Sequence, residues 1–113
     1  MANLSLETSV AGGAAVVALS GELDLAGAAV LERELERLED DSPGAIVLDL
    51  RRVEFMDSSG LRLIAVAMQR AQAGRRRFAL VPGRDQVMRV FDITRMRERL
   101  EFVRDPRDVT GGR

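Results

Sequence analysis

The stretch Ala45-Ile46-Val47-Leu48-Asp49-Leu50-Arg51-Arg52-Val53-Glu54-Phe55-Met56-Asp57-Ser58-Ser59-Gly60-Leu61 decides the fold. Its first six residues form a short apolar run with β-branched members, which predicts a buried strand. Arg51 to Glu54 reads as a polar connection, and Phe55 to Gly60 opens onto a helical pattern. Leu61, Ile64, Ala65 and Met68 then recur at the i, i+3, i+4, i+7 spacing of one helix face. Leu63, Val66 and Ala67 widen that face, so protein should cover most of this helix. Asp57 and Ser58 both carry oxygens able to cap its first turn. A serine hydroxyl therefore stands at a helix N-terminus just past a strand end. Free N–H groups and the helix dipole favour negative charge there.

Upstream, Asn3-Leu4-Ser5-Leu6-Glu7-Thr8 alternates polar and apolar, as a half-exposed strand does. Gly12-Gly13 supplies a turn, and Ala14 to Leu19 makes a second strand, antiparallel to the first. That strand is expected to stop at Ser20-Gly21-Glu22-Leu23-Asp24, where Asp24 is a good N-cap for the helix that follows. Ala28, Leu31, Leu35 and Leu38 line one face of that helix, and Asp40 to Gly44 ends it. Downstream of the central unit, Ala73-Gly74-Arg75-Arg76-Arg77 is a helix stop and a solvated loop, preferred over a basic docking patch. Phe78 to Val81 is another buried strand, and Val87, Val90 and Phe91 mark a short amphipathic helix. Glu101-Phe102-Val103 is a final edge strand. The tail Arg104 to Arg113, with Pro106 and Gly111-Gly112, is expected to be short or frayed, with at most a short helix. The expectation is a single α/β domain over residues 1–113, in the order ββαβαβαβ with an optional last helix. Its mixed, mostly parallel sheet of about four or five strands starts with an antiparallel pair and carries about three or four helices.

Composition narrows the functions. At 46% hydrophobic and 31% charged residues the chain is ordinary globular protein. No apolar run approaches the roughly 20 residues that cross a bilayer, and no signal-peptide pattern opens the chain, so the expected location is the cytoplasm with no membrane partner. Cysteine and histidine are both absent, which removes disulfides, thiolate nucleophiles and imidazole bases, and leaves no cofactor or metal expected. All 17 basic residues are arginine. Residues 1–57 hold 12 acidic and 4 basic side chains, and residues 58–113 hold 6 acidic and 13 basic. In a one-domain fold these halves interleave, so direct nucleic-acid binding is not expected. The glycine pairs lack phosphate-loop spacing, which argues against a nucleotide site.

Gly21-Glu22-Leu23-Asp24, the strand from Ala45, and then Phe55-Met56-Asp57-Ser58-Ser59-Gly60-Leu61 resemble the STAS domain of bacterial anti-sigma factor antagonists. Phe78 to Val81, Val87 to Phe91 and Phe102 fit the later part of the same pattern. The chain departs from it at Arg95-Met96, where the family usually has a Gly-Leu-like pair, and in a C-terminal helix shorter than usual. The resemblance implies a STAS fold and a regulatory module that is not an enzyme. It implies that Ser58, directly after the aspartate, is phosphorylated by a partner anti-sigma factor with serine kinase activity. The unphosphorylated form would bind that factor and release a sigma factor, phosphorylation would break the complex, and a serine phosphatase would reset it. The protein would work as a monomer or weak dimer.

Asp24, Asp57, Met56, Ser59 and Gly60 are candidate partner-binding residues beside the Ser58 phosphorylation site. Each has a plainer alternative. Asp24 is equally a simple cap, Gly60 a small-residue packing site, Met56 core packing, and Ser59 a support for the turn. The competing function is a STAS scaffold in a stress-signalling or membrane-transport complex, with Ser58 never phosphorylated. A hydrolytic site made of Asp24, Asp57 and Ser58 is disfavoured, because no base or oxyanion donor set accompanies them.

Overall fold

The computed structural model describes residues 2–110. Five strands form one sheet in the order β1-β2-β3-β4-β5: Leu4–Ala11, Ala14–Leu23, Ala45–Met56, Arg77–Val81 and Glu101–Phe102. β1 and β2 are an antiparallel hairpin, and every later pairing is parallel. Helices α1 (Leu25–Asp40), α2 (Ser58–Ala73) and α3 (Asp85–Ile93) make the crossovers. Because each crossover steps to the next strand in the same direction, right-handedness stacks all three on one face of the sheet. The expected α/β architecture is the one observed.

The core lies between that face and the helices. Val17 and Leu19 of β2, Leu48 and Leu50 of β3, and Leu80 of β4 meet Leu31 and Leu35 of α1, Ile64 of α2 and Phe91 of α3. A leucine buried to this degree contributes about 1.5–3 kcal/mol through lost water contact. The opposite face is covered differently. Val47, Ala79 and Val81 are buried there too, outside the helix-side cluster. After β5 the chain returns towards the first hairpin. Val103 N–H donates to the Leu80 carbonyl at 2.9 Å, α4 (Arg107–Thr110) forms one turn, and the Thr110 carbonyl lies against Gly12. The tail thus includes the short helix; its last three residues lie outside the described ones.

Among the boundaries that differ from the sequence reading, two bear on the site. β3 does not end at Leu50 but runs on to Met56, so Arg51 to Glu54 is strand, not connection. Arg51, Arg52 and Glu54 face solvent, which breaks the apolar run, while Val53 is fully buried and holds the strand to the core. β2 likewise continues past Leu19 to Leu23, through register shifts between Ala18 and Ser20 and between Gly21 and Glu22. Those shifts keep the two strands paired as far as Leu23 and Met56. Arg77 is also strand rather than loop. It pairs with Glu101 across β4 and β5, and that hydrogen bond draws the Glu101 carboxyl below its ordinary pKa. Arg76 hydrogen-bonds the Pro43 carbonyl at 2.8 Å, so this loop is tied down. At the sequence departure, Arg95 adopts the left-handed conformation, φ 62°, that glycine takes without cost, and Met96 after it is buried.

Candidate functional site

β2 and β3 end side by side. Leu23 is the register partner of Met56, and the Asp57 N–H reaches the Leu23 carbonyl at 3.4 Å. The next residue of each strand is therefore an aspartate on the same rim, Asp24 or Asp57, and each caps a helix. Asp24 Oδ1 accepts the Gly27 N–H at 2.9 Å, and Asp57 Oδ1 accepts the Ser59 N–H at 2.9 Å. Both caps have the extended backbone that lets a side-chain oxygen turn back onto the first helical turn. Among the candidate caps of α2 it is Asp57, not Ser58, that makes the capping bond. Ser58 is the first helical residue, and it is exposed.

The candidates separate by burial. Asp24, Asp57 and Ser59 are half-buried on the rim, with Ser58 at its crest. Met56 is only 4% exposed, and Gly60 is buried behind the first turn. Neither offers surface to a partner, so the partner-binding expectation for these two is corrected. Met56 points inward because it closes the helix-side core at the end of β3. Gly60 is there for an internal close approach. A Cβ on it would sit 2.6 Å from the Leu23 carbonyl oxygen, 2.7 Å from Leu23 Cγ and 2.9 Å from Met56 Cγ.

Beside Ser58 a shallow groove runs between the first turns of α1 and α2. Leu25, Ala28 and Glu32 line it from α1, and Ser58, Arg62 and Val66 from α2. Leu25 is 74% exposed and Val66 41%, so the groove edge carries apolar surface that the fold leaves uncovered. Val66 was expected on the covered face of α2 and is instead exposed on the groove edge; Leu25 and Arg62 were not singled out from sequence, although a signal existed. Asp24-Leu25-Ala26-Gly27 repeats the pattern of Asp57-Ser58-Ser59-Gly60, which puts Leu25 at the position equivalent to Ser58. Arg62 lies four residues after Ser58, on the same helix face. Among the described residues no group of His, Cys, Asp and Glu is placed to hold a metal, and no helix is long and apolar enough to cross a membrane.

Residues 5–108 match the family model described as the STAS domain. The chain belongs to the STAS domain family. A 58-residue segment is 41% identical to the Mycobacterium tuberculosis protein named anti-sigma-F factor antagonist RsfB; the match covers 51% of this chain and 48%, about half, of that relative. The structure superposes on the crystal structure of an anti-sigma factor antagonist from Mycobacterium paratuberculosis with TM-score 0.83 and 28% identity, covering 93% of this chain and 89% of that one. It also superposes on the Bacillus protein SpoIIAA, an anti-sigma factor antagonist, in its unphosphorylated form: TM-score 0.74, 25% identity, 88% of this chain and 87% of that one. This STAS domain thus shares the fold of those antagonists across nearly its whole described length.

Proposed function

We propose that this STAS domain is an anti-sigma factor antagonist that binds an anti-sigma factor with serine kinase activity and loses that grip when Ser58 is phosphorylated. The observation that carries this reading is the position of Ser58. It is exposed at the first residue of α2, on the rim of a groove edged by Leu25 and Val66. The similarity to named anti-sigma factor antagonists supports the class of partner, and the existence of a distinct unphosphorylated form of SpoIIAA supports a phosphate-controlled cycle.

Ser58 needs no base of its own, since a kinase brings its catalytic machinery in trans. The phosphate adds about −1.5 to −2 charges. Within the domain the α2 dipole favours that charge, so the fold tolerates it. A docked partner does not, because the rim already holds Asp24 and Asp57 and the groove edge is apolar. Repulsion and desolvation worth about 1–3 kcal/mol change affinity about 5- to 150-fold, enough for a switch without refolding. A serine phosphatase returns the protein to its binding form.

The test uses three baits, wild type, Ser58→Ala and Ser58→Asp, against lysate of the host. Wild type and Ser58→Ala are expected to capture a small ATP-binding kinase that Ser58→Asp does not, and that kinase with ATP is expected to add one phosphate, at Ser58 by mass spectrometry. Equal capture by all three baits would overturn the switch and leave a scaffold module.

A further inference from the structure

Arg62 is the one cation among the side chains that line the α1–α2 groove, and Glu32 is the one carboxylate. The two helices do form ion pairs further along. Arg70, two turns on from Arg62, reaches back to Glu39, with Glu36 at 4.0 Å. Arg62 differs. Among the described residues it has no carboxylate within ion-pairing distance, although Glu32 lines the same groove, and it is exposed. An exposed, uncommitted guanidinium therefore stands one turn from Ser58.

Helix geometry directs it. Residues at i and i+4 are neighbours on the helix surface, about 5–6 Å apart at Cβ. Every Cα–Cβ bond leans towards the helix N-terminus, so Arg62 leans back over the turn that starts with Ser58. Guanidinium forks match phosphate oxygens with paired N–H donors, which neither the dipole nor a single N–H group does.

We infer that Arg62 is the internal counter-ion for a phosphate on Ser58. It rests on the proposed reading that Ser58 is the modified residue. In the unmodified protein Arg62 is a free groove-lining cation. After modification it turns to the phosphate, so the groove loses its cation at the moment its rim gains a dianion. A partner carboxylate held by Arg62 would lose its counter-charge in the same step. One modification then changes two features of the docking surface, with the phosphate pinned at the groove mouth.

The phosphate's second ionisation reports this directly. Asp57 on the cap, Asp24 on the neighbouring cap and Glu32 across the groove all disfavour the dianion; the α2 N-terminus and Arg62 favour it. Phosphoserine is installed at position 58 during translation with a phosphoserine-specific suppressor tRNA, and its pKa is followed by ³¹P NMR in wild type, Arg62→Gln and Arg62→Lys. An exposed ion pair corresponds to a pKa about 0.2–0.7 higher in Arg62→Gln than in wild type, with Arg62→Lys between them. The difference should shrink in 1 M NaCl. A pKa unmoved by Arg62→Gln would overturn the assignment and leave the helix N-terminus as the sole support of the phosphate; a difference unchanged by salt would overturn it as well. No kinase enters this experiment. A flat titration therefore refutes the role of Arg62 alone, while failure of a kinase to modify Ser58 refutes the proposed function whatever the titration shows.

Discussion

The starts of α1 and α2 are built alike and read differently. Each follows a strand end, each has an aspartate N-cap whose carboxylate accepts a first-turn N–H at 2.9 Å, and each has glycine at the third helical residue. Both glycines face a backbone carbonyl at the end of β2. A Cβ on Gly27 would meet the Glu22 oxygen at 2.3 Å, and one on Gly60 the Leu23 oxygen at 2.6 Å. Between cap and glycine α1 carries Leu25-Ala26 and α2 carries Ser58-Ser59. One turn on, α1 has Ala29 where α2 has Arg62. The shared aspartate and glycine are thus construction: they start a helix tight against a strand end. The hydroxyls and the arginine are what α2 adds. A motif read as Asp-Ser-Ser-Gly mixes the two, and the second helix start separates them.

The largest effects should come from the construction. Gly60→Ala and Gly27→Ala each insert a methyl group into space already occupied by a carbonyl. Helix propensity returns about 1 kcal/mol to alanine, but overpacking costs about 1–3 kcal/mol and more where backbone must move. Both variants should lose stability in urea denaturation, Gly27→Ala at least as much as Gly60→Ala because its nearest atom is closer. A stable Gly60→Ala beside an unstable Gly27→Ala would break the equivalence of the two starts.

The caps come next. Asp24→Ala and Asp57→Ala each remove one side-chain bond to a first-turn N–H and should each cost about 1 kcal/mol. Their similarity is the point. If Asp57→Ala costs nothing while Asp24→Ala costs the usual amount, Asp57 is held for the partner rather than for the helix.

The sequence makes much of this legible and hides the rest for identifiable reasons. The faces of α1 and α2 were readable because Leu31, Leu35 and Ile64 recur at helical spacing and all are buried. The length of β3 was not, since its outer half keeps only Val53 and Met56 in the core, with three exposed charges and the exposed Phe55 around them. The continuation of β2 depends on two register shifts, and these are settled by pairing with β3 rather than by local residues. Gly60 and Met56 looked available to a partner because Leu23, which closes on Gly60 and pairs with Met56, is more than thirty residues away in sequence. The groove could not be seen in one helix alone. It exists because Leu23 pairs with Met56 and so sets Leu25 beside Ser58.

The smallest effects are expected at the first residue of each helix. Leu25 and Ser58 hold the same position, the first helical residue after an aspartate cap, and both are exposed. If the aspartates do the capping, neither residue has a structural duty. Leu25→Ala and Ser58→Ala should then each change unfolding free energy by less than about 0.5 kcal/mol, as surface substitutions do. A loss near 1 kcal/mol confined to Ser58→Ala would mean that the hydroxyl shares the capping load, and a serine retained for its cap needs no phosphate to explain it. An undisturbed Ser58→Ala leaves the hydroxyl without a part in folding. Its place on the groove rim then has to be accounted for by what reaches it from outside.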